Sequence, residues 1–457
     1  MRVVEVLIEG DPWRLGPYRL AGRLGTGRRG VVYEAYDAAG RRVALKTLHG
    51  DLWRGPARVP LSGDPVLRER CRREVAAARR VPPACTAGVL DADFGGPRPY
   101  IVSEYVPGPS LRRADRTFRG DDLRHLATAV VTALAAIHGA GVVHRDLTPD
   151  TVLLGPDGPR VTGFGMASVL AAVPVSPRFR AGTAAYTAPE VFTGEPGDAA
   201  ADVFAWGAVV LYAATGEDAF AAPSLGAVMH RVLSVDPDLS PLPGPLRSLV
   251  SAALAKDPHA RPTARDLLST LLAGDAEPRL PGDGPGGAPA ADALPAGDAE
   301  RRLPGDGPGG APGVDTLLAA GGDVAARLRT PCDDPGLGAV AEEAYAALDP
   351  AGRELASRVF LRLVTLAADG GFALRRARIP EDRIVEAFGP LIVRRGDEVG
   401  LAHPALPYAW PRLGRWIEDN RHLLVARGPR RRPIPFTLAA VAVSALLAAV
   451  IVFAVLS

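Results

Sequence analysis

The stretch VVHRDLTPDTVLLGPDGPRVTGFG, residues 142–165, sets one carboxylate, Asp146, directly behind a His-Arg pair and ahead of a leucine. An aspartate so placed is a candidate general base, able to accept a hydroxyl proton from a positioned substrate. Seventeen residues further on comes Gly163-Phe164-Gly165, flanked by Pro159-Arg160-Val161-Thr162 before and Met166-Ala167 after. Two other carboxylates, Asp150 and Asp157, lie between.

The 457 residues around this stretch leave room for two or three domains. A formal net charge of +2 gives no bias toward nucleic acid or acidic partners. Cys71, Cys85 and Cys332 are few and scattered, which argues against a disulfide framework and fits a reducing compartment. Among 53 basic residues only Lys46 and Lys256 are lysines, so a lysine in this chain stands out. The run Met1-Arg2-Val3-Val4-Glu5 has no basic start followed by a long apolar segment and is not read as a secretory signal.

Upstream, Leu24-Gly25-Thr26-Gly27-Arg28-Arg29-Gly30-Val31-Val32 contains G-x-G-x-x-G. A strand-like run follows it rather than a helix, so the glycines suit a loop between two strands, where the backbone can approach phosphates closely. Next comes Val43-Ala44-Leu45-Lys46, then Glu74 within Arg72-Arg73-Glu74-Val75-Ala76 on an expected helix. Ile101-Val102-Ser103-Glu104-Tyr105-Val106-Pro107-Gly108 precedes the opening stretch. Gly182-Thr183, Ala188-Pro189-Glu190, Asp202-Val203-Phe204-Ala205-Trp206-Gly207 and Lys256-Asp257-Pro258-His259-Ala260-Arg261-Pro262 follow it.

In this order, across residues 18–272, the motifs resemble those of the bacterial, eukaryotic-like Ser/Thr protein kinases. The resemblance implies an α+β, two-lobed protein kinase fold with ATP between a small β-rich lobe and a larger helical one. It implies that Gly25, Gly27 and Gly30 cover the phosphates, that Lys46 pairs with Glu74, and that backbone groups near Glu104 and Val106 meet adenine. Asp146 is the implied base, and Arg261 is implied to pair with Glu190.

The resemblance also has gaps. After the aspartate the family reads L-K-P-x-N, whereas this chain has Leu147-Thr148-Pro149-Asp150-Thr151. Where the family has D-F-G this chain has Gly163-Phe164-Gly165. The phosphate-steadying lysine is thus Thr148, and both implied metal positions are lost, at Thr151 and Gly163. Mg²⁺ bridges the phosphates and neutralises charge developing on transfer, so its loss removes a large catalytic contribution. Losing even one preorganised donor costs about 10²- to 10³-fold. ATP is the expected ligand, Mg²⁺ has no protein ligand of the family kind, and Asp146 is expected to be idle.

Beyond the kinase-like region, residues 273–313 are rich in Pro, Gly, Asp and Ala and hold a duplication, GDAEPRLPGDGPGGAP from Gly274 and GDAERRLPGDGPGGAP from Gly297. So few apolar side chains cannot offset ordering entropy, and a flexible linker is expected. A mainly helical domain is expected over 314–428, with a hairpin-like run at 391–401. Its segment from Ala402 through Trp410-Pro411-Arg412-Leu413 resembles, over about 338–425, the winged-helix part of STAND-type signalling NTPases, with Pro404 in place of a glutamate. No G-K-[ST] phosphate loop accompanies it.

Residues 436–456 carry no charge and are long enough to span a bilayer as a helix. Arg427, Arg430, Arg431 and Arg432 stand just before them. A single-pass cell-membrane protein with residues 1–17, the kinase-like region and the winged-helix-like region in the cytoplasm is therefore expected. The reading that results is a membrane-anchored, nucleotide-binding pseudokinase scaffold whose partners are signalling proteins. The alternative is an active Ser/Thr kinase with atypical metal binding. A DNA-binding regulator acting through Arg394 and Arg395 on the wing is a minor third, since two arginines make a weak nucleic-acid footprint.

Overall fold

A computed structural model describes residues 5, 7–8, 10–27, 30–48, 65–96, 98–165, 184–274, 313–331, 334–366 and 372–425. The chain divides into two compact units, 1–334 and 335–457.

The first unit opens with an antiparallel sheet. Its strands are β1 (Arg14–Leu15), β2 (Tyr18–Gly27), β3 (Gly30–Tyr36), β4 (Arg42–Leu48), β5 (Val89–Asp93) and β6 (Tyr100–Glu104), in the order β1-β2-β3-β4-β6-β5. β2 and β3 are the arms of the glycine hairpin, with Gly27 opposite Gly30 and Gly25 opposite Val32. Register shifts at Leu20/Gly22 and Arg23/Gly25 let this hairpin bend, as bulges do. Leu20, Leu45 and Val102 are buried in the sheet's own core, where Tyr18 meets Tyr100 edge-on at 5.9 Å. Helix α1 (Pro65–Ala78) crosses between β4 and β5 in sequence and buries Cys71, Val75 and Ala78.

The rest of the unit is helical, around α2 (Gly120–Gly139) and the small hairpin β7 (Val152–Gly155) and β8 (Gly158–Val161). Then come α3 (Pro189–Phe192), α4 (Ala199–Thr215), α5 (Leu225–Ser234), α6 (Gly244–Ala253) and α7 (Ala264–Ala273). Every residue of α2 from Leu123 to Ile137 except Arg124 is buried, because α4, α7 and a further helix pack around it. α4 is capped by Asp198 and closed by Gly216 at φ +78°, and its Trp206 Nε1 donates to the Ala127 carbonyl at 3.0 Å. The Glu190–Arg261 pair forms as expected: Nη1 and Nη2 each donate to a carboxylate oxygen at 2.8 Å, and the arginine side chain is fully buried. Arg261 also donates to the carbonyls of Ala255, Ala200 and Lys256, so its whole fork is satisfied.

The further helix on α2 is α8 (Val314–Ala325), expected above to open the second domain at 314. It lies in the first unit, against α2 and α7, and the division between units falls at 334/335. Leu317, Leu318, Ala325 and Leu328 join the same core as α2.

The second unit has α9 (Leu337–Ala346), α10 (Pro350–Arg362), a hairpin of β9 (Val364–Leu366) and β10 (Phe372–Leu374), and α11 (Asp382–Ala387). A second hairpin joins β11 (Ile392–Arg395) to β12 (Glu398–Leu401) through Gly396 at φ +60°, matching the expected hairpin. Three short helices follow, α12 (Leu406–Ala409), α13 (Pro411–Asp419) and α14 (Arg421–Val425). Trp410 is fully buried, ringed by Tyr345, Phe360, Phe388 and Trp416. Its Nε1 donates to Glu342 Oε2 at 2.7 Å, and Arg412 grips the same carboxylate. That accounts for the W-P-R-L run: Trp410 fills the core, Pro411 starts α13, Arg412 pairs with α9 and Leu413 is buried. Arg394 on the hairpin donates to Asp382.

Among the described residues no helix is long and apolar enough to cross a membrane. The expected span at 436–456, its preceding arginines, the linker from 275 to 312 and Gly182-Thr183 lie outside the described residues.

Glu190→Ala strands the buried Arg261 guanidinium. Removing one partner of a buried pair costs about 3–5 kcal/mol. Calorimetry on the full chain is expected to show the 1–334 transition falling in temperature while that of the second unit stays in place.

Candidate active site

The loop from Val142 to Thr151 joins α2 to β7, and one buried carboxylate fixes its shape. Asp202 on α4 is 1% exposed and accepts from the His144 and Arg145 amides at 2.7 Å each and from His138 Nε2 at 2.9 Å. Arg145 sits at φ +57°, unusual for a residue with a side chain, and its Nε donates to the Gly197 carbonyl at 2.6 Å. His144 is buried and takes the Asp146 amide on Nδ1 at 3.2 Å, so Nε2 bears the proton and donates to the Thr162 carbonyl at 3.0 Å. Burial holds the imidazole below its usual pKa, keeping it neutral. Asp146 thus stands on a backbone pinned on both sides, half-buried, with Thr162 tying the loop to the residue before Gly163.

The two implied metal positions do meet. Gly163 has φ +90°, and a Cβ built on it would touch one described atom within 4 Å, Thr151 Cγ2 at 3.7 Å. Thr151 turns its hydroxyl into the loop instead: it accepts from the Thr148 amide at 3.0 Å and donates to the Thr148 carbonyl at 2.9 Å. Its own carbonyl accepts from the Thr162 amide at 2.9 Å. Thr148 is buried. The place where a carboxylate and an amide oxygen would ligate a cation therefore offers a methyl group and a glycine. These residues do not fit Mg²⁺ held in the family manner.

Neither spare aspartate fills the gap. Asp150 Oδ2 accepts from Arg112 Nε at 3.1 Å, and Arg112 Nη2 reaches Asp218 at 2.9 Å and Tyr186 Oη at 3.2 Å. Asp157 lies in the β7–β8 turn, beside a cavity of about 400 Å³ lined also by Glu104, Tyr105 and Arg160. Sequence reasoning missed Arg112 and His138. Both meet partners far away along the chain, and no local motif announces either.

The nucleotide side is better supplied. Lys46 lies mid-strand on β4, opposite Val32 of the glycine hairpin and Ile101 of β6. Its charge is close enough to His144 to oppose protonation there. Glu74 is half-buried on α1, one residue before the core residue Val75. A Cβ at Gly25 would meet no described atom within 4 Å, and Gly27 and Gly30 pair across the hairpin. Glu104 closes β6, exchanging bonds with Gly88: its amide donates to the Gly88 carbonyl at 2.9 Å and its carboxylate accepts from the Gly88 amide at 3.2 Å. Val106 packs with Ala87 and Leu153 in a small apolar floor. A lysine, a glycine hairpin and an apolar floor fit a nucleoside polyphosphate.

Comparison with known proteins agrees with this geometry. The protein kinase domain model matches residues 18–272, and the model described as novel STAND NTPase 1 matches residues 335–429. Over 273 residues the chain is 42% identical to the "Probable serine/threonine-protein kinase PkwA" of Thermomonospora curvata, covering 59% of this chain and 36% of that protein. It is 39% identical over 274 residues to the serine/threonine-protein kinase AfsK of Streptomyces coelicolor, covering 59% and 33%. It is 34% identical over 299 residues to the serine/threonine-protein kinase PknA of Mycobacterium tuberculosis, covering 60% and 66%. The chain spans about a third of the length of the first two relatives. With the kinase match taking in more than half of its length, and the loop, hairpin and Glu190–Arg261 pair in place, the chain belongs to the protein kinase domain family.

Proposed function

We propose that this protein is a membrane-held signalling scaffold whose kinase-fold unit binds a nucleoside polyphosphate without turning it over. The observation that carries the reading is the opposition of Gly163 to Thr151, with the threonine hydroxyl already committed to Thr148. When bound, a divalent cation supplies charge neutralisation on the transferring phosphoryl group. Among the described residues, Lys46 and the hairpin amides are what the site offers that charge. Asp146 can accept a hydroxyl proton, but a base beside an unactivated phosphate achieves little. The second unit, similar to the STAND NTPase model and carrying no phosphate loop, is assigned a partner-binding role.

A second reading, phosphotransfer with atypical metal binding, draws on the frame around Asp146: the Asp202 contacts and the Glu190–Arg261 pair would also suit a working kinase. A radiolabel transfer assay on the full chain, with Mg²⁺ and with Mn²⁺, separates the two. No signal above an Asp146→Asn control is expected. Thr148→Lys, Thr151→Asn and Gly163→Asp together are expected to create activity and singly to do little, because such groups act as a unit. Wild-type transfer that disappears in Asp146→Asn would establish the second reading instead.

Nucleotide binding is expected to be almost indifferent to metal. ATP at about 100 times its dissociation constant stabilises the unit by about 2.7 kcal/mol. A thermal-shift titration is expected to show nearly the same shift in EDTA as in Mg²⁺. Lys46→Ala removes it and Asp146→Asn leaves it; an unmoved melting temperature with every nucleotide would reduce Lys46 to a structural role.

The membrane assignment rests on the uncharged run 436–456 behind four arginines. A reporter fused after Ser457 is expected outside the cytoplasm and one before Met1 inside it. A reporter after Ser457 that is active only in the cytoplasm overturns that topology.

A further inference from the structure

We propose that residues 314–331 together with Asp334 form a strap that ties the small lobe to the large lobe behind the hinge, residues 104–106, where the chain passes from one lobe to the other, and so governs how freely the nucleotide cleft opens. Three separate attachments carry this.

The first is apolar. Leu317, Leu318, Val324, Ala325 and Leu328 are each 7% exposed or less. α8 lies so close to α2 that a Cβ on Gly321 would stand 2.2 Å from Thr132 Oγ1. The second attachment is to the β7–β8 hairpin. The Thr330 amide donates to the Gly155 carbonyl at 3.2 Å, and a Cβ on Gly158, at φ +110°, would stand 2.5 Å from the Ala325 carbonyl oxygen. That same hairpin supplies Leu153 to the floor beneath Val106.

The third attachment reaches the small lobe. Arg42, at the start of β4, donates from Nη1 to the Asp334 carbonyl at 2.9 Å and from Nη2 to Asp334 Oδ1 at 3.0 Å. Tyr105, between Glu104 and Val106, donates its hydroxyl to Asp334 Oδ2. Arg42 also pairs with buried Glu34 at 2.8 Å and lies 3.8 Å over the Tyr105 ring. The Arg42 and Asp334 side chains are only 15% and 8% exposed, so this is a shielded charge cluster rather than a surface ion pair. One carboxylate therefore holds the strand that bears Lys46 and the middle residue of the hinge, while the segment before it is fastened to the large lobe. Asp334 is also the last residue of the first unit, so a pull on the second unit would be delivered to this carboxylate through the chain.

Hydrogen exchange on the full chain, without nucleotide, tests the strap independently of whether ATP binds. Asp334→Ala is expected to speed amide exchange in 42–48 and 103–107 about tenfold or more, the scale of a lost charge-assisted hydrogen bond, while α4 and the second unit keep wild-type rates. Gly321→Ala, which unseats the far end of the strap, is expected to give the same pattern. The double variant is expected to exceed neither single by much, since both cut one connection. Wild-type exchange in 42–48 and 103–107 for Asp334→Ala, or effects of Gly321→Ala confined to α2 and α8, overturns the proposal.

Discussion

The carboxylate of Asp202 organises the large lobe's share of the cleft. An aspartate 1% exposed to solvent is costly to bury unless its oxygens are satisfied, and here three N–H donors converge on it. Two of them are consecutive amides of the loop that bears Asp146, so the burial of α4 and the conformation of that loop are one constraint. The left-handed Arg145 is held by the same contacts. Removing phosphoryl-transfer chemistry would leave this demand unchanged. A base in its proper frame is thus no measure of catalysis, because the frame is needed for α2, α4 and the loop to pack at all.

Thr151 shows the same separation of folding from chemistry. In a loop this tight, some side chain must satisfy the Thr148 amide, and a threonine hydroxyl serves as donor and acceptor at once. What it does not provide is a spare oxygen facing Gly163. The left-handed backbone at Gly163 suits a residue without a side chain, so an aspartate there would meet few described atoms but would carry a strained backbone, about 1–2 kcal/mol. The Thr148–Thr151 turn is thus closed by its own hydrogen bonds, whatever chemistry the loop serves.

Much of the first unit was legible because its signals are local. The glycines of 25–30 fall on a two-stranded hairpin, Lys46 on the neighbouring strand, Glu74 on a helix, and Glu190 on the short helix that Arg261 reaches. The 391–401 hairpin was equally plain from its Gly396-Asp397 turn. The placement of α8 was not legible. Its apolar face shows that it packs somewhere but not on which core, and a Pro/Gly-rich stretch before it reads naturally as a domain boundary. Gly321 was the faint clue, since a glycine inside a helix often marks a close neighbour. The Arg42–Asp334 contact spans 292 residues with no motif at either end, and the site's Arg112–Asp218 contact spans 106.

α7 and α8 both rest on α2, and this changes what the stretch between them is. A tether that leaves one body and returns to the same body is a closed loop, and its length sets no distance between the two units. Loop-closure entropy grows only with the logarithm of length, so doubling such a loop costs about 0.6 kcal/mol. The near-exact duplication of GDAEPRLPGDGPGGAP as GDAERRLPGDGPGGAP therefore lengthens the sequence between two helices of one unit at little entropic cost. Inserting even a few residues just after Asp334 would instead lengthen the only covalent joint between the units.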